Sequence, residues 1–270
     1  MQEALRLTGY QEPLGLFTRR LPPPEQYPNL RAHRIEFSSR GDRVTGRLWL
    51  PRNQAEVPLV LLQHGAGGSS ESDYLEGTGG PWVERGVAVA MIDFPLHGAR
   101  ADQKLAARVA ESFGRRGAGE PDPLVVEFAR QAVFDLERAL DVLGAHSAID
   151  ETRVAYVGFS LGAMIGASFC ALDPRPRAAA LALGGAGLAP AGVDPGEYIG
   201  RFAPRPLLLV NAEHDATIPR EAAEALRRAA GDPVEQRWFD APHEALPGVA
   251  LKTMWQFLAK SLEIPNARGG

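Results

Sequence analysis

Residues 153–166 read RVAYVGFSLGAMIG, and no other stretch restricts the fold as tightly. Val154, Tyr156 and Val157 form a short apolar run, the pattern of a buried strand. Gly158-Phe159-Ser160-Leu161-Gly162 follows, and the residues after it are small or apolar with no breaker until Pro174. The reading is strand, sharp turn, helix, with Ser160 at the bend. A serine in such a turn needs neighbours without a Cβ, so that strand and helix can approach closely. The helix N-terminus behind Ser160 then turns free N–H groups and a positive dipole end towards any nearby anion.

The context of that turn comes from the rest of the chain. Residues 57–63 (VPLVLLQ), 87–94 (VAVAMIDF), 178–183 and 206–211 (PLLLVN) are continuous apolar runs, expected of strands covered on both faces. Helical segments alternate with them at about 82–85, 124–143, 221–230 and 249–262, and a last strand is expected at 234–239. Residues 31–38 and 43–51 instead alternate polar and apolar around Ser39-Arg40-Gly41-Asp42, an antiparallel hairpin. Strands alternating with helices make parallel βαβ units, so the expected fold class is α/β, a mostly parallel doubly wound sheet with an N-terminal antiparallel hairpin. No internal repeat or linker divides the 270 residues. We expect one domain over 31–264, preceded by a surface extension, 1–30, with a short helix and then an extended segment.

The totals exclude several function classes. With 29 basic and 33 acidic residues the net charge is −4, which argues against a general partner among nucleic acids or anionic membranes. The single cysteine, Cys170, permits no intrachain disulfide and no Cys-based zinc site. Residues 1–17 carry acidic side chains and no continuous apolar core, and no apolar run reaches the length of a membrane span. A cytoplasmic protein is expected.

Serine is a weak nucleophile near neutral pH and needs a base, which needs an orienting acid. In an open α/β sheet the reactive groups sit beyond the carboxyl ends of the strands. His33 lies inside the hairpin and His146 at the opposite end, which leaves His64, His97, His214 and His243. Only His243 follows all the buried strands. Asp215 follows the fifth apolar strand, and the order Ser160, Asp215, His243 is that of one hydrolase class. Glu213 and Asp240 are the rival acids. The oxyanion of an acyl transfer needs two donors, expected from the backbone N–H groups of Leu161 and Ala66, the latter in the loop His64-Gly65-Ala66-Gly67-Gly68. Asp93 is expected to hold its loop by bonding backbone N–H groups. His64, His97 and His214 lie in different loops, and neither a metal nor a cofactor is expected.

These residues carry a resemblance. HGAGG at 64–68, DFPLHG at 93–98, GFSLG at 158–162, Asp215 and His243 resemble the α/β-hydrolase superfamily, in the set of dienelactone hydrolase-like proteins and prolyl-oligopeptidase-like esterases. The resemblance runs from about residue 31 to 262. It implies the α/β-hydrolase fold and a carboxylesterase-type serine hydrolase acting on a small-molecule ester through a Ser160 acyl-enzyme. It leaves open an acyl-thioesterase, a small peptidase or a noncatalytic binding protein. Dienelactone hydrolases use a cysteine nucleophile, so their lactone substrate is not implied.

Two connections bear on the pocket. Residues 184–205 are rich in Gly and Pro, too poor in apolar material for a large cap domain. Residues 99–123 are charged and are expected to form a short helical wall, turning Leu105, Val109 and Phe113 inward. Gly65, Gly67, His97 and Phe113 are the expected substrate contacts. A shallow site holds few methylenes, each worth about 0.8 kcal/mol on burial, so acyl chains of roughly C2 to C6 are expected.

Overall fold

The structure, a computed structural model, describes residues 13–52, 56–114 and 122–264. Its centre is a nine-stranded sheet in the order β1-β2-β3-β5-β4-β6-β7-β8-β9. The first three strands, β1 (Leu16–Leu21), β2 (Leu30–Ser39) and β3 (Asp42–Pro51), are antiparallel, and β3 pairs antiparallel with β5 (Ala88–Ile92). From β5 onward, β4 (Val57–Gln63), β6 (Ile149–Phe159), β7 (Pro176–Ala182), β8 (Leu207–His214) and β9 (Val234–Pro242) run parallel. The hairpin expected at 31–51 is present. Within the expected surface extension, β1 is extended and largely exposed and adds a strand to the sheet edge. Residues 1–12, where a short helix could precede it, lie outside the described residues.

Helices cover both faces. α1 (Asp73–Glu84) and α6 (Gly248–Ser261) pack on one; α3 (Pro123–Gly144) and α4 (Leu161–Leu172) pack on the other, with α5 (Arg220–Ala230) beside them. α2 (Gln103–Gly114) packs through Val109 and Phe113 against α3. The alternation of β4 shows why its sequence is apolar throughout. Leu59 and Leu61 enter one core and Val60 and Leu62 the other, all essentially inaccessible.

α1 starts well before the residue 82 expected from sequence. Gly77, Gly79, Gly80 and Pro81 read as breakers, yet two of these glycines serve packing. A Cβ on Gly79 would stand 3.1 Å from Val89 and 3.2 Å from Leu62, and one on Gly80 would overlap the Tyr27 ring. The connection after β7 holds only the short 3-10 turns Pro195–Glu197 and Ile199–Phe202. The Asp194 carboxylate gathers it by accepting from the N–H groups of Gly187, Leu188, Ala189 and Gly196. No large cap is present among the described residues.

Candidate active site

Ser160 sits between β6 and α4 with φ 52° and ψ −111°, a left-handed conformation that costs a non-glycine residue about 1–3 kcal/mol. Its neighbours hold it there. The Ser160 N–H donates to the Ala182 carbonyl at 2.8 Å, and its own carbonyl accepts from Ala163 and Met164. A Cβ on Gly158 would lie 2.3 Å from the Gly162 carbonyl oxygen, and one on Gly162 would lie 2.7 Å from that of His64. The first glycine lets α4 close on its own strand, and the second lets it close on the end of β4.

His243 Nε2 lies 3.0 Å from Ser160 Oγ, and His243 Nδ1 lies 2.7 Å from Asp215 Oδ2. A carboxylate can only accept, so Nδ1 carries the proton and Nε2 is left to accept from the serine hydroxyl. The other carboxylate oxygen of Asp215 accepts from the N–H groups of Thr217 and Ile218. His243 and Asp215 side chains are only 13% and 6% exposed, so water does not compete for their bond. Asp240 turns instead to His214 Nε2, at 2.8 Å, and Glu213 is exposed. Of the three acids weighed from sequence, the geometry pairs Asp215 with His243.

The loop after β4 is held from within. His64 Nδ1 donates to the Gly65 carbonyl at 2.8 Å, and its Nε2 accepts from the Phe94 N–H at 3.2 Å. This uses both nitrogens of a neutral ring, in keeping with burial that pushes the His64 pKa down to about 4. The Gly65 carbonyl also accepts from the Gly68 N–H. Because a trans peptide is planar, a carbonyl anchored inward sends the next N–H, that of Ala66, the opposite way. The Ala66 N–H makes no hydrogen bond among the described residues. Leu161 is the first residue of α4, so its N–H has no acceptor within the helix. A Cβ on Gly65 would stand 3.2 Å from that of Ser160, so the loop is seated against the serine.

Asp93 behaves as its position suggested. Its carboxylate accepts from Thr45 Oγ1, the Ser70 N–H and the Ala99 N–H, tying β3 to the loops that follow β4 and β5. Arg100 bonds the Asp93 carbonyl and extends the network to Asp42 and to Asp135, the latter fully buried.

A cavity of about 450 Å3 opens beside Ser160 and His243. Gly65 and Ala66 line it, as do Tyr74, Gly77 and Thr78 of α1, Phe159, Leu183, the segment from Glu244 to Leu246, and Leu251 of α6. Of the expected substrate contacts only Gly65 is among them. Gly67 is exposed on the loop. His97 donates from Nδ1 to the Pro95 carbonyl and lies between the His64 and Phe128 rings, and Phe113 packs on Phe128. The helical wall at α2 therefore forms but does not border this cavity. The missed wall residues lie on α1, hidden by its glycines, and after His243, where Leu246 and Leu251 flank Pro247-Gly248.

The three histidines weighed as metal ligands do not converge, since His64 and His97 are adjacent and His214 bonds Asp240. Glu213, His214 and Asp240 do bring ligand atoms within 4.8 Å of one another, but all three are exposed. No helix among the described residues is long and apolar enough to cross a membrane.

Residues 22–183, more than half of the chain, match the family described as Acetyl xylan esterase (AXE1). The chain belongs to that family. It is an α/β-hydrolase-superfamily serine hydrolase, an enzyme that cleaves carboxylic esters. Solved structures share the fold at low identity. The acetyl xylan esterase from Paenibacillus sp. R4 aligns with TM-score 0.73 and 19% identity over 92% of this chain and 89% of that one. A cold-adapted esterase from an Arctic intertidal metagenomic library aligns with TM-score 0.68 and 22% identity, covering 87% and 92%. Acetyl xylan esterase 1 from Thermoanaerobacterium sp. JW/SL YS485 gives 0.69 and 16%, covering 94% and 89%. No curated protein sequence matches the chain.

Proposed function

We propose that Ser160, His243 and Asp215 are the catalytic triad of a carboxylesterase for short acyl chains, with the Ala66 and Leu161 N–H groups as its oxyanion hole. The observation that carries this reading is the continuous line from Asp215 through His243 to a serine held in a strained turn. Ser160 Oγ attacks the ester carbonyl while His243 Nε2 takes its proton. The carbonyl oxygen becomes an oxyanion facing the two N–H groups. Collapse breaks the bond to the alcohol, which leaves with the proton from His243. Water then gives a proton to His243 and its oxygen to the acyl carbon, and collapse breaks the acyl bond to Ser160 Oγ, which takes the proton from His243 as the carboxylic acid leaves.

The cavity offers the acyl chain apolar surface from Tyr74, Phe159, Leu246 and Leu251. An acetyl group, the acyl part that the family description names, falls within the range of roughly C2 to C6. The only cysteine is a buried free thiol, which suits a reducing compartment, and a cytoplasmic location belongs to this proposal.

The test is Ser160→Ala assayed over p-nitrophenyl esters of increasing length, with acyl-thioesters and amides alongside. Turnover of the esters should fall by several orders of magnitude, and a fluorophosphonate probe should label the wild type but not the variant. Retention of more than about a tenth of wild-type turnover would remove Ser160 as nucleophile. A preference for thioester or amide would replace the substrate class.

A further inference from the structure

Tyr74, in the first turn of α1, lines the same cavity as His243. Its hydroxyl oxygen accepts a hydrogen bond from the Gly65 N–H at 2.8 Å. Gly65 is buried, and this is the one bond its N–H makes among the described residues. The Tyr74 ring is braced edge-on by Phe159, centroids 5.5 Å apart at 83°, and its backbone carbonyl accepts from Thr78 Oγ1.

Gly65 therefore has both sides gripped. Tyr74 holds its N–H, while His64 and the Gly68 N–H hold its carbonyl. The carbonyl belongs to the same rigid peptide as the Ala66 N–H, so rotation about Gly65 would swing that donor away from the oxyanion. A glycine offers little resistance to such rotation by itself. The preorganisation of a donor is worth most in the transition state, where charge has developed on the oxygen.

We propose that Tyr74 is a positioning residue of the oxyanion hole, acting through Gly65 to aim the Ala66 N–H. The proposal rests on the reading of Ser160 as nucleophile and of Ala66 as donor. The phenol itself need not touch the substrate's reacting atoms. Burial raises the Tyr74 pKa, so the hydroxyl stays neutral over the working range of an esterase.

The test is Tyr74→Phe. Tyr74 is 44% exposed and phenylalanine keeps its ring against Phe159, so the fold and the cavity wall persist, which a thermal melt verifies. For p-nitrophenyl acetate kcat should drop about 10- to 100-fold with KM changed less than about twofold. Inhibition by a short trifluoromethyl ketone, whose serine adduct places an oxyanion in the same hole, should weaken by a similar factor. Binding of the carboxylic acid product should not change. An unaltered kcat and an unaltered ketone affinity would overturn the proposal. So would a raised KM at constant kcat, which would make Tyr74 a wall and nothing more. The two readings fail separately: activity in Ser160→Ala removes the nucleophile, whereas an inert Ser160→Ala with a fully active Tyr74→Phe removes only the role of Tyr74.

Discussion

Gly158 is the residue on which the bend at Ser160 depends most directly. The Cβ that alanine would add meets backbone atoms of Gly162 and Ala163, which cannot rotate away as a side chain could. Gly158→Ala should therefore destabilise the protein by about 3 kcal/mol and lower the activity of what remains folded, read by urea unfolding and by turnover. Asp215→Asn should leave His243 in place but favour the wrong ring tautomer. The same change in the triad of a serine protease lowers kcat about 10⁴-fold, and a fall of that order is expected here. If Glu213→Gln or Asp240→Asn proves the more damaging change, the acid is misassigned. His64 adds a pH dependence. Its folded pKa, about 4, lies below the roughly 6.5 of an unfolded histidine, so the unfolded chain takes this proton first. The contribution of a neutral His64 is complete above pH 6.5 or so and is lost as pH falls towards 4, by about 3 kcal/mol at most. Urea unfolding of the wild type and of His64→Gln across that interval should give the shallower slope for the variant.

The elements divide into those written locally in the chain and those that tertiary packing decides. The strands β4 to β8 are legible because each holds an apolar run covered on two faces, and Ser160, Asp215 and His243 are legible as candidates because each follows a strand. α1 is not. Its glycines lower helix propensity locally, and the compensation comes from Val89, Leu62 and Tyr27, which are distant in sequence. β1 was read only as extended chain, since its pattern carries four exposed residues between two half-buried leucines. The end of α4 depends on one distant side chain. Arg205 donates to the carbonyls of Cys170, Asp173, Pro176 and Phe202 and lies over the Phe202 ring. Arg205→Met keeps the apolar stem and the backbone bond to Phe202 but removes the guanidinium from the Cys170, Asp173 and Pro176 carbonyls, and should cost about 2–4 kcal/mol in an unfolding titration with little direct effect on KM.

For the molecule as a whole, the pocket was the least legible part. Its walls come from α1, the turn after β9 and α6, and nothing in the spacing of Tyr74, Thr78 or Leu246 announces that they meet. Gly77 lines the cavity, yet a Cβ added there meets nothing within 4 Å. Gly77→Leu should fill acyl space without a clash and favour the helix, lowering kcat/KM for a hexanoyl ester about 10-fold relative to an acetyl ester. An unchanged ratio of the two rates would place the acyl chain elsewhere. The opposite wall obeys a different constraint. His243, Ala245, Leu246 and Leu251 share one short stretch of chain, so a loop exchange that enlarges the pocket from this side also moves the residue that handles the proton. A lineage adapting to bulkier acids has one wall bound to the proton chemistry and another bound only at Tyr74, so its history of change should be written mainly at Gly77 of α1.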